Sequence, residues 1–155
     1  LIFLIYSVMD LNNFDPNKKT IIVLEDKKTM RDLFQEVFNS MPGELINEFN
    51  FMMCTNWDDF SEKRDAIDET KIEVILLDDD LSHPINGEKI YKDLLSPELR
   101  SKVIGISDGN QSYLDHTEAA KKYDRGKMNF TLFIDELEGN FQQRESNRET
   151  ELLTR

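Results

Sequence analysis

Carboxylates gather at two places in this chain where an apolar run gives way to a polar loop. Thr20–Leu24 (TIIVL) is followed at once by Glu25-Asp26, and Ile72–Leu77 (IEVILL) by Asp78-Asp79-Asp80. Two carboxylates about 4–5 Å apart repel by roughly 3–4 kcal/mol at an effective dielectric of 20. A fold keeps such groups together when they protonate, splay into water or share a cation. Oxygen-only donors with no His or Cys suit Mg2+, with Mn2+ as a substitute. Taken singly, either cluster is a solvated strand end in an acid-rich chain; two clusters at one sheet edge make a cation site the better reading. A third apolar run, Val103–Ile106, ends in Ser107. Its hydroxyl suits an oxyanion bound at a neighbouring strand end, although capping a strand end or helix is the commoner fate of such a residue.

These groups act together only if the strands that carry them are neighbours. Thr20–Leu24, Phe51–Cys54, Ile72–Leu77 and Val103–Ile106 read as strands, and the first is a β-branched run of the kind buried on both faces. A weak fifth strand is expected around Arg125–Met128. Met30, Leu33, Phe34, Val37, Phe38 and Met41 recur at helical spacing before Pro42-Gly43. Trp57, Phe60 and Ile67 suggest a second helix. Ile90, Tyr91, Leu94 and Leu95 mark a third, between the Asn86-Gly87 turn and Pro97. A fourth is expected over Ser112 to Tyr123. Phe130, Phe133, Ile134, Leu137 and Phe141 line the last, and from Gln142 the chain is polar, a frayed helix end or a tail. Strands alternating with helices predict an α/β fold, a doubly wound parallel five-stranded sheet flanked by helices. The crevice of such a sheet lies at the carboxyl ends of the strands, where strand order reverses. Both acidic clusters fall at that edge.

The 155 residues favour one domain, expected over 19–141, between a leader (1–18) and a polar end (142–155). Against 19 Lys+Arg stand 31 Asp+Glu, a net charge of −12. That charge disfavours a generic nucleic-acid binder and an anionic membrane surface, and permits a cation site or a basic partner. The single cysteine, Cys54, excludes an intramolecular disulfide and a cysteine zinc cage, and fits a reducing cytoplasm. His83 and His116 make no metal-ligand pattern. The leading LIFLIYSV is apolar, too short to span a bilayer, and lacks the basic start and cleavage site of a signal peptide. It reads as an upstream extension before a natural start at Met9, in preference to an apolar arm that docks on this domain or a partner.

The same residues carry a likeness. IIVLEDKKTMRDLF resembles the first strand, acidic pair and first helix of the receiver domain of bacterial response regulators, the phosphoacceptor module of two-component signalling. VILLDDDLSHPINGEKIYKDLL is similar to that family's third strand, phosphoacceptor aspartate, glycine turn and third helix, and KVIGIS to its fourth strand with the Thr/Ser switch residue. The likeness spans Lys19 to Phe141; LDDDL is also similar to the LDHDL-type variant of some divergent receiver-like families. It implies a flavodoxin-like receiver fold and a phosphorelay role. Asp78 would be the phosphoacceptor. Mg2+ would be held by Glu25, Asp26 (the more direct ligand of that pair), Asp78 and the backbone carbonyl of Asp80. Ser107 would hydrogen-bond the phosphoryl group and Lys127 would pair with it. A carboxylate attacking phosphorus in line forms an acyl phosphate, and cation, lysine and hydroxyl neutralise its oxygens. Self-phosphorylation and autodephosphorylation are the only reactions implied. The implied partners are a sensor histidine kinase or phosphotransfer protein and a downstream protein target, in the cytoplasm, with no nucleic acid and no membrane.

Three departures stand beside the likeness. Asp78 to Gly87 is one residue longer than the family's usual spacing, which leaves Asp79 open as acceptor. Asp108 follows Ser107 where the family places a small residue. Met128 follows Lys127 in place of a proline, with Lys121 and Lys122 as possible substitutes for the lysine. These departures support an alternative, a degenerate receiver acting as a phosphate-independent binding module. A further alternative is a Toprim-like metal-dependent nucleic-acid enzyme, whose acid after a first strand and later Asp-x-Asp match Glu25 and Asp78-x-Asp80. The net charge of −12, and Asp26 where that family prefers a small residue, oppose it. His83 reads as a solvated loop residue, Cys54 as a buried strand residue, and Trp57 and Tyr123 as packing residues, with a conformational reporter the alternative for Tyr123.

Overall fold

The computed structural model describes residues 14–81 and 85–154. Most of the expected leader, including Met9, and the loop histidine His83 lie outside the described residues. The strands are β1 (Lys19–Leu24), β2 (Phe49–Cys54), β3 (Ile72–Leu77) and β4 (Val103–Gly105). They form one parallel sheet in the order β2-β1-β3-β4. The chain steps from β1 out to β2, then crosses back over β1 to β3. Strand order therefore reverses at β1, and the crevice opens between β1 and β3.

Successive residues of a strand face opposite sides of the sheet, and both sides here are apolar. On one side Ile21, Val23, Val74, Leu76 and Ile104 pack against Phe34 and Phe38 of α1 (Lys28–Asn39), Leu45 of α2 (Gly43–Ile46), and Phe130, Phe133, Ile134 and Leu137 of α7 (Phe130–Leu153). On the other, Ile22, Leu24, Met52, Cys54, Ile75, Leu77 and Val103 meet Phe60 of α3 (Trp57–Arg64), Ile90 of α4 (Gly87–Lys89, continued by a π turn over Ile90–Leu94) and Leu99 of α5 (Pro97–Arg100). Burial on both faces explains why β1 and β3 read as unbroken apolar runs. Trp57 packs on Phe60 at 5.5 Å between ring centroids, and Tyr123 is buried and donates to Glu73.

Among the described residues the sheet has four strands where five are expected. Lys127 makes a single parallel bridge to Gly105, and nothing longer forms around Arg125–Met128. The chain has little room there: Asp124 turns in the left-handed region (φ 62°), and the Asn129 side chain already caps α7 by accepting from Leu132 N–H. The expected helix over Ser112 to Tyr123 is also divided. A 3-10 turn covers Ser112–Leu114, and α6 (Glu118–Lys122) starts afresh at Thr117, whose hydroxyl accepts from Ala120 N–H and donates to the Val103 carbonyl, each at 2.9 Å. Beyond Phe141 the polar end continues as helix to Leu153.

Candidate functional site

Parallel pairing aligns Leu24 with Leu77. The acids that follow them must then emerge side by side. Glu25, Asp26 and Asp78 each offer a carboxylate oxygen, and these atoms all lie within 4.8 Å of one another. Glu25 and Asp78 are only 5% and 7% exposed, so water does little to separate their charges. Burial is the main force that raises Glu25 from an ordinary 4.5 to about 7. Its bond from Lys27 N–H (3.0 Å) opposes the rise, while the neighbouring Asp78 and Asp26 add to it. Burial also raises Asp78, against a bond from Asp80 N–H at 3.2 Å. With no cation present, this pair holds a proton at a pH where ordinary carboxylates hold none.

The other residues expected at the site occupy the adjoining strand ends. Asp80 is exposed and meets Asp78 through its backbone N–H. Asp79 turns away from the cluster: its Oδ1 accepts from Glu88 N–H and from the Tyr113 hydroxyl, both at 2.9 Å. Ser107 follows β4 half-buried, and its Oγ accepts from Gly109 N–H at 3.1 Å. Lys127 is half-buried beside β4, with its ammonium donating to the Gly109 carbonyl. The two substitute lysines are engaged elsewhere, Lys121 with Glu118 and Lys122 with Glu73 near the opposite end of β3.

Three residues with a hand in this geometry escaped sequence reasoning. Arg31, one turn into α1, donates through one guanidinium nitrogen to the carbonyls of Glu25 (3.0 Å) and Asp26 (2.6 Å), fixing the backbone that presents both acids. A cation five residues after an acidic pair was the available signal. Tyr113 holds Asp79, meets the Tyr91 ring at a tilt with 5.4 Å between centroids, and lies under the Lys92 ammonium. Gln111 bridges the ends of β3 and β4. Nothing in the sequence marks either of these among the polar residues of its loop.

Oxygen-only donors, two of them buried, are the donor chemistry of a hard divalent cation. Among the described residues no helix is long and apolar enough to cross a membrane.

No protein-family model matches this chain, and no curated protein matches it. Among solved structures, it is similar to the signal receiver domain of a DNA binding response regulator protein (merR) from Colwellia psychrerythraea 34H. The TM-score is 0.53 at 16% identity, over 83% of this chain and 99% of that one. A fusion carrying the trimeric coiled coil of yeast Spc42 aligns at a TM-score of 0.49 and 14% identity, over 91% of this chain and 97% of that one, too low to carry an argument. At such identities the first likeness shows the architecture: an α/β chain with a parallel sheet flanked by helices in a receiver-like fold.

Proposed function

We propose that this chain is a phosphoacceptor receiver domain, which takes a phosphoryl group on Asp78 and signals by protein–protein contact. The observation that carries the reading is the convergence of Glu25, Asp26 and Asp78 at the point where strand order reverses. In this reading Glu25, Asp26 and Asp78, with the Asp80 carbonyl, hold Mg2+. When bound, the cation supplies the positive charge that lets all three acids ionise and offsets charge on the phosphoryl oxygens. The Asp78 carboxylate attacks phosphorus, and the bond from phosphorus to the donor's leaving group breaks, that group taking the electron pair. The product is an acyl phosphate. Ser107 donates its Oγ–H to a transferred oxygen, and the Lys127 ammonium turns from the Gly109 carbonyl to another. The donor is a phosphohistidine of a sensor kinase or phosphotransfer protein, the output a protein target, and the compartment the cytoplasm.

A second reading has one observation in its favour. Ser107 and Lys127 are both engaged with Gly109, as suits a degenerate receiver that binds its partner without phosphate. One experiment separates the two: intact-mass spectrometry after incubation with Mg2+ and acetyl phosphate. The expected result is one added phosphoryl group, labile to hydroxylamine, present in Asp79→Asn and absent in Asp78→Asn. No addition, under conditions that label a control receiver, refutes the phosphoacceptor reading and leaves the binding module.

A further inference from the structure

The ladder between β3 and β4 stops where the site begins, and a side chain extends it. Ile106 N–H still donates to the Leu77 carbonyl, at 3.1 Å. Ser107 N–H, the next along, donates to Oε1 of Gln111 at 2.9 Å. Nε2 of the same amide donates to the Leu77 carbonyl, also at 2.9 Å. Gln111 is 1% exposed. A buried primary amide is costly unless its oxygen and its NH2 group are both used. Here they are used on the last carbonyl before Asp78 and on the backbone N–H of Ser107, so the amide stands in for a missing peptide unit between the two strand ends.

Gly105 makes the space. A Cβ built there would collide with the Gln111 amide. Gly105 is itself held, donating to the Gly126 carbonyl at 2.8 Å and accepting from Met128 N–H at 2.9 Å. The amide is therefore boxed on one side by a fixed backbone and tied on the other to Leu77.

We propose that Gln111 is a positioning residue for phosphoryl transfer, fixing the Ser107 hydroxyl relative to the Asp78 carboxylate by tying Ser107 to Leu77. The proposal rests on the phosphoacceptor reading above. Gln111 touches no reacting atom and acts through Ser107. Removing a donor to a developing oxyanion outright slows an enzyme roughly 100–1,000-fold. A donor left in place on a loosened loop loses part of that effect.

The test is the initial rate of Asp78 labelling by acetyl phosphate at saturating Mg2+, in wild type, Gln111→Met, Ser107→Ala and the double variant, with the folded fraction measured on each. Gln111→Met is expected to slow labelling about tenfold or more, and the double variant to be no slower than Ser107→Ala alone. The Mg2+ midpoint of Gln111→Met stays within about twofold of wild type, because β1 and β3 hold the acids. A merely structural residue would lower the folded fraction and leave this non-additivity out. Labelling at the wild-type rate, or a deficit that adds in full to Ser107→Ala, overturns the proposal. If Gln111→Met does not fold, Gln111→Glu carries the same comparison, since it keeps the acceptor for Ser107 and loses the donor to Leu77. A wild type that takes no phosphate overturns the underlying reading instead, and the proposal with it.

Discussion

Glu25→Gln should stabilise the cation-free protein, and only at high pH. The wild-type carboxyl sits 5% exposed beside Asp78 and Asp26, and burial lifts it from 4.5 to about 7. Below pH 4.5 it is protonated in the folded and unfolded chain alike. Between 4.5 and about 7 the unfolded chain has released its proton and the folded chain retains it, so stability falls as pH rises. Above about 7 the whole cost is present. Each tenfold difference in proton affinity is worth about 1.4 kcal/mol, which puts that cost on the order of 3 kcal/mol. The glutamine keeps an oxygen to accept Lys27 N–H and carries no charge. In EDTA at about pH 8 the variant should gain up to about 3 kcal/mol, or roughly 6–12 °C in Tm for a chain of this size. At about pH 4.5 the two proteins should coincide. Urea unfolding followed by the single Trp57 measures both. Mg2+ at 100 times Kd should cancel most of that advantage, since it adds about 2.7 kcal/mol to the protein that holds the ion. An advantage that does not vary with pH, or a variant less stable than wild type in EDTA at high pH, refutes the crowded buried charge and removes the main physical reason for a cation here.

Two other perturbations test the scaffold. Gly87→Ala would place a Cβ 2.5 Å from the Asp78 carbonyl oxygen and 2.8 Å from Asp79 Cα. Forcing α4 off that backbone should cost about 1–3 kcal/mol in urea unfolding and weaken Mg2+ binding. Tyr123→Phe removes the bond to Glu73 at 3.2 Å, far from the acids. It should cost about 0.5–1.5 kcal/mol by the same assay and leave the rate of phosphoryl labelling unchanged; a changed rate would make Tyr123 a reporter of the site.

The legible part of this protein is the part where one force dominates. β1 and β3 are apolar on both faces, and a run such as TIIVL has few other fates. Acids directly after such runs must lie at the carboxyl edge, so the convergence of Glu25, Asp26 and Asp78 could be read before any coordinates. Illegible features are settled by contacts distant in sequence. Whether Arg125–Met128 forms a strand depends on the Asp124 turn and the Asn129 cap, which leave room for a single bridge. The helix expected over Ser112 to Tyr123 divides because the Thr117 hydroxyl finds the Val103 carbonyl, 14 residues away. Gln111 works by reaching Leu77, 34 residues away, and no local pattern encodes that.

The choice between Asp78 and Asp79 shows where counting along the chain misleads. The spacing to Gly87 is one residue longer than the receiver family's, which leaves Asp79 open as acceptor. The structure pins that aspartate to the helix instead. Gly87 N–H donates to the Asp79 carbonyl at 3.1 Å, Glu88 N–H donates to its Oδ1 at 2.9 Å, and Tyr113 completes the hold. Gly87 can come so close only because it lacks a side chain. The α4 start is thus fastened to Asp79. Asp78 N–H, meanwhile, donates to the Leu24 carbonyl at 3.1 Å, which carries the β1–β3 ladder one residue past the strand and turns the Asp78 side chain to Glu25. The Asp79 carboxylate is held by Glu88 N–H and the Tyr113 hydroxyl, so Asp78 joins the cluster and Asp79 does not. Asp79→Asn, which keeps the oxygen that accepts from Glu88 N–H and Tyr113, should therefore fold and still accept phosphate, whereas Asp78→Asn should fold and accept none. Labelling that survives in Asp78→Asn and disappears in Asp79→Asn would reverse the assignment and, with it, the argument from the ladder.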